Sequence, residues 1–122
     1  QDFRFTSCVG GRVGNWCFTY GDSANFAEAL KKIYGGDIMC SYENEDSYID
    51  GEPNHCAIYI GEGLYDITGK IDELQLMEYC EDCSNVIIEE ADESHGYQTV
   101  RNRGVISSFE NILRKRGCGK GG

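Results

Sequence analysis

Long apolar runs are missing from this chain. None of its 122 residues belongs to a stretch approaching the roughly 20 apolar residues that a membrane-spanning helix needs. No signal-peptide core is visible either, so no membrane partner is expected. Positive charge is scarce: 11 Lys and Arg stand against 21 Asp and Glu, for a net charge of −10. Such a surface repels a phosphate backbone, which argues against generic nucleic-acid binding. It leaves solubility, or a basic protein partner, as what the acidity serves. Internal repeats and a clear linker are also lacking, and Pro53 is the one proline. Length and these absences leave one domain with a single core, read as residues 1–116 with a flexible Gly-rich tail over 117–122. The chain opens on Gln1 rather than Met, which reads as a chain trimmed, processed or excised from something longer, with a removed targeting segment left open.

Cysteine, by contrast, is plentiful, with seven in the chain. The odd count and irregular spacing do not make a complete secreted disulfide framework. A reducing, cytoplasmic compartment is the simpler expectation, with most cysteines acting as small buried apolar residues. A native Cys at position 23 would make the count even. Cys80-Glu81-Asp82-Cys83 is a CxxC. Cys118 or His95 would have to join it to hold zinc, and no second CxxC completes the set. No thioredoxin-like βαβ pattern surrounds it for a redox role. No metal and no cofactor is expected.

The clearest element spans residues 22–34. Phe26, Ala27, Leu30, Ile33 and Tyr34 share one face at helical spacing, and Gly35-Gly36 ends it. Residues 1–20, with Phe3, Phe5, Val13, Trp16 and Phe18 between glycines, read as a strand or extended arm and a turn-rich approach to this helix. Asp37–Tyr42 reads as a short strand, and the polar stretch 43–54 as a loop near a site. His55–Ile60 is the best strand. Gly61-Glu62-Gly63 turns it and Leu64–Thr68 returns as a hairpin. Residues 70–80 read as a helix, Val86–Ile88 as a buried strand, and Val105–Arg116 as a second amphipathic helix whose Arg114-Lys115-Arg116 suits its negative end.

Ser23 stands where the helix's unpaired N–H groups and positive dipole end converge, a place that helps a nucleophile towards its anion. Ser is also a preferred N-cap, so Ser23 or Asp22 could simply cap the helix. A reactive residue at a helix N-terminus, followed by a hairpin whose first strand begins with His, has the parts that thiol-type amide chemistry needs. The helix end stabilises a thiolate and offers N–H groups to an oxyanion. An imidazole shuttles the proton, and a third polar group orients it.

Here the residues carry a resemblance. Asp22-Ser23-Ala24-Asn25-Phe26-Ala27 resembles the Asp-Cys-Ser-Gly-Phe-Val segment of the NlpC/P60 family of papain-like cysteine hydrolases. His55-Cys56-Ala57-Ile58-Tyr59-Ile60-Gly61 is similar to that family's His-Val-Gly-Ile-Tyr-Leu-Gly. The likeness covers roughly residues 20–70. It implies an α+β, papain-like core with an N-terminal helix packed on a four- to five-stranded antiparallel sheet. It also implies that residue 23 is the nucleophile position and His55 the general base. Asp66 is taken as the orienting third member and Asp72 as a second choice. A two-residue Glu62-Gly63 turn would leave Asp66 about four residues, or roughly 13 Å, along the strand from His55; a different loop would change that register. Trp16 and Tyr20 could line a substrate cleft, with packing as their default role.

Ser at position 23 divides three ways: a deliberate Cys→Ser replacement, a natural loss that leaves a binding pseudoenzyme, or an active serine. The last stands third, because a hydroxyl is far less acidic than a thiol. The expected function is therefore a thiol-hydrolase-type amidase or peptidase acting on a protein or peptide, silenced at its nucleophile. The alternative is a non-catalytic acidic binding or inhibitor module on the same fold.

Overall fold

The computed structural model describes residues 23–91 and 101–118. Helix α1 (Ser23–Tyr34) begins and ends as its apolar spacing predicts, burying Ala24, Phe26, Ala27, Ala29 and Leu30. Strand β1 (Asp37–Tyr42) follows. Then come α2 (Glu45–Asp50), β2 (His55–Ile60), β3 (Gly63–Asp66), β4 (Gly69–Ile71), α3 (Glu73–Met77), a 3-10 turn at Cys83–Asn85, β5 (Ile87–Glu90) and α4 (Arg103–Lys115). The fold is α+β, with a five-stranded sheet in the order β4-β3-β2-β1-β5. Every neighbouring pair in it is antiparallel.

Side chains alternate across a strand, so the register sorts the sheet into two faces. Ile38, Cys40, Tyr42, Cys56 and Ile58 point to one face and pack with α1 and α4 residues in the main core. Phe26 of α1 and Phe109 of α4 meet there edge-to-face, with centroids 5.3 Å apart. His55, Ala57 and Tyr59, the alternate residues of β2, point to the opposite face. There Ala57 joins Leu64, Ile71 and Leu76 in a smaller cluster beneath α3.

Three local expectations change. The stretch 43–54 contains α2, capped by the Asn44 side chain on Ser47 N–H and ended by Gly51 at φ 68°. The expected helix 70–80 gives its first residues to β4 and survives only as α3, which opens on a capping box between Asp72 and Gln75. Gly117 and Cys118, assigned to the flexible tail, instead close α4. Gly117 takes φ 97°, its N–H bonds Arg114 O at 3.1 Å, and Cys118 N–H bonds Leu113 O at 3.0 Å. That paired pattern is the Schellman cap, and Cys118 is buried. Trp16, Tyr20, His95 and the extended-arm reading of residues 1–20 lie outside the described residues.

Cys40 and Cys56, directly paired across β1 and β2, form a disulfide. Cys118 is likewise disulfide-bonded. These three are not the free, apolar thiols that a reducing compartment predicts; Cys80 and Cys83 are free.

Candidate functional site

The site forms where β3 ends short of β2. The Cys40–Cys56 pair has a Cα–Cα distance of 4.1 Å, the narrow, non-hydrogen-bonded kind of antiparallel pair. The Cys56 N–H therefore points away from β1, to the β3 side. The β2–β3 ladder runs from Ile60↔Gly63 to Ile58↔Tyr65; continued, it would set Cys56 opposite Ile67, which lies in a turn. Ser23 supplies the acceptor instead: its Oγ takes the Cys56 N–H at 3.1 Å. Ser23 is the first helical residue of α1, and its hydroxyl serves the sheet end.

The hairpin loop explains how Asp66 reaches His55. Its two residues are Gly61 and Glu62, not Glu62 and Gly63, because Ile60 pairs with Gly63. Gly61 has φ 63° and Glu62 does not adopt positive φ, which is the type II′ pattern suited to sheet twist. This loop shifts the register by two residues from the one that put Asp66 about 13 Å away. Asp66 then faces Ala57, diagonal to His55 on the same face. The His55 Nε2 and Asp66 Oδ2 atoms lie 2.8 Å apart, and both residues are buried.

Asp66 is held on its other oxygen as well. Its Oδ1 accepts the Thr68 N–H at 2.8 Å and the Thr68 hydroxyl at 2.6 Å. Burial by itself would raise the Asp66 pKa; the His55 bond first, then those from Thr68, outweigh it and hold the carboxyl below its ordinary range. Asp66 is thus a carboxylate, and His55 Nε2 is the donor. The His55 ring lies flat against Tyr79, with centroids 3.7 Å apart and planes 10° from parallel. Burial, then the nearby Asp66 charge, pushes the Tyr79 phenol upwards.

His55 Nδ1 is buried without a partner. It is the one ring nitrogen left to take or give a proton, and no hydrogen bond joins it to Ser23. Ser23, Phe26, His55, Cys56, Asp66 and Ile67 line one narrow crevice that has no room for a water-sized sphere. The structure therefore gathers the three sequence-predicted residues Ser23, His55 and Asp66 at one place. They arrive from different sides: α1 packs on one sheet face, and His55 and Asp66 belong to the other. Asp72 is elsewhere, serving as the α3 cap.

Thr68 and Tyr79 complete the site and were not anticipated. Asp66-Ile67-Thr68 is a short-range signal of an Asx-type turn. Tyr79 carries none, since its contact with His55 spans distant parts of the chain. Among the described residues no cluster of His, Cys, Asp or Glu is arranged to hold a metal ion, and no helix is long and apolar enough to cross a membrane. No family model, curated protein or solved structure matches this chain.

Proposed function

We propose that the domain carries a papain-like, thiol-hydrolase-type site for an amide or isopeptide bond of a protein or peptide, with Ser23 in the nucleophile position and the cleavage chemistry silent. The observation that carries this reading is His55: Nε2 is fixed by the Asp66 carboxylate, and Nδ1 is left free at a crevice that residue 23 also lines. An oriented imidazole with one vacant nitrogen is what general-base activation of a thiol requires. Ser23 weakens the site in two ways. A hydroxyl resists ionisation, and its oxygen is already engaged by the Cys56 N–H.

The test is Ser23→Cys in the full chain. The thiol introduced at position 23 should react with a thiol-directed electrophile at least about tenfold faster than exposed Cys83, as read by peptide mapping. Adding His55→Ala should remove that advantage. Equal rates at the two positions, with no amide cleavage of a peptide library, would overturn the reading.

A second reading has its own support. The crevice admits no water-sized sphere and the Ser23 hydroxyl is in structural use, which suits a non-catalytic module whose acidic surface meets a basic partner. Binding to basic proteins that weakens steeply with salt, and is unaffected by His55→Ala, would favour it. The Cys40–Cys56 disulfide argues for an oxidising compartment over the cytoplasm under either reading.

A further inference from the structure

We propose that Cys80 and Cys83 are a redox-active dithiol, which closes to a disulfide by exchange with a small-molecule or protein disulfide. Among the described cysteines, Cys40, Cys56 and Cys118 are already oxidised. Cys80 and Cys83 alone are thiols, so this pair is reduced in a chain whose other described cysteines are bonded.

The loop between them is prepared for ring closure. Glu43 grips the two intervening residues: its carboxylate accepts the Glu81 N–H at 3.0 Å and the Asp82 N–H at 2.7 Å. The same carboxylate takes Asn54 Nδ2 at 2.9 Å, which ties the loop to the residue before β2. Asp82 then caps the 3-10 turn through the Ser84 N–H at 2.9 Å. The Met77 carbonyl oxygen meets both ends of this loop, through the backbone of Cys80 and the side chain of Cys83. The Met77 carbonyl oxygen accepts the Cys80 N–H at 2.9 Å and lies 3.7 Å from Cys83 Sγ. A loop already bent to this extent gives up little chain entropy when its ends join.

Exposure assigns the roles. Cys83 is exposed and Cys80 is buried, so Cys83 is the attacking sulfur and Cys80 the resolving one. Burial raises the Cys80 thiol above its ordinary pKa, in keeping with a group that acts second. The Cys83 thiolate attacks a disulfide RSSR, forming a Cys83–SR mixed disulfide and releasing one RS⁻. Cys80 then loses its proton and attacks Cys83 Sγ, releasing the second RS⁻ and forming the Cys80–Cys83 bond. RSSR is reduced to two thiols, and the pair is oxidised by two electrons.

The experiment uses the full-length chain, native, in buffers of oxidised and reduced glutathione at graded ratios. It is quenched with a maleimide and read by intact mass and peptide mapping. The expected result is loss of two maleimide sites together at a single ratio, a linked Cys80–Cys83 peptide, and full recovery on returning to the reduced buffer. Cys80→Ser should instead accumulate a glutathione adduct on Cys83. The proposal is overturned if both thiols stay fully labelled in excess oxidised glutathione. It is equally overturned if the wild-type chain stops at a Cys83 adduct while Cys80 still takes maleimide.

Discussion

The Ser23 hydroxyl and the Asp66 carboxylate each satisfy groups that would otherwise be buried without partners. Ser23→Ala strands the Cys56 N–H at the sheet end, and leaving a buried donor unpaired costs about 1–3 kcal/mol. Urea denaturation should show that loss, whereas an effect below about 0.5 kcal/mol would mean that water replaces the hydroxyl. Asp66 gives a pH prediction whose sign is set by its lowered pKa. A carboxyl with a folded pKa below its unfolded value contributes stability above the unfolded value, about 3.9. That contribution is lost as pH falls through the folded value. Asp66→Asn should therefore be less stable than the wild type at neutral pH, and the gap should narrow steadily below about pH 4. Stability curves of the two proteins that run parallel down to pH 2 would mean that folding does not lower the Asp66 pKa. Residue 23 and His55 were legible from the sequence because each sits at the start of a strongly patterned element. Tyr79 was not, because stacking between distant segments leaves no local mark.

At the scale of elements, the legible parts are those with a sustained period. Helix α1 and strand β2 lie where their apolar spacing puts them, since tertiary burial and local propensity agree there. Shorter elements escaped although their punctuation was present. Asn44 and Gly51 bracket α2 as cap and stop, and Asp72 with Gln75 spells the capping box of α3. Their interiors are too short and too polar to show a period. The hairpin shows how much a single loop position decides: sliding the turn by one residue moves the pairing by two and brings Asp66 from beyond reach into contact with His55. The glycines after α1 allow a sharper test of the packing of that helix on the sheet. Gly35 and Gly36 both have positive φ, 76° and 112°, but a Cβ on Gly35 meets nothing, whereas one on Gly36 collides with the Tyr59 carbonyl oxygen. Gly35→Ala should cost only the left-handed strain, about 1–2 kcal/mol. Gly36→Ala must also displace β2 and should cost about 3 kcal/mol or more. Equal denaturation midpoints for the two variants would place the α1–β1 connection differently from its position here.

For the whole molecule, the sheet sets His55 and Asp66 on the face opposite the main core, Ser23 stands with α1 on the core side, and the Cys40–Cys56 disulfide pins the sheet where the two sides meet. Cys56 faces the core with its side chain, offers its N–H to Ser23, and is next in sequence to His55. Both cysteines of this bridge are fully buried; as a covalent link it constrains the unfolded chain, and it fixes β1 against β2 beside the crevice. Closing a loop with a sequence separation of 16 removes denatured-state entropy worth about 3 kcal/mol on the chain-entropy account. The double variant Cys40→Ala/Cys56→Ala should therefore unfold at a lower urea concentration. Its m-value should rise, because a less constrained denatured state exposes more surface. The same variant should leave the Cys80–Cys83 exchange intact, since that pair is held by Glu43 and Met77 and not by the β1–β2 bridge. A midpoint unchanged by the double substitution would mean that the core alone holds the two strands in register.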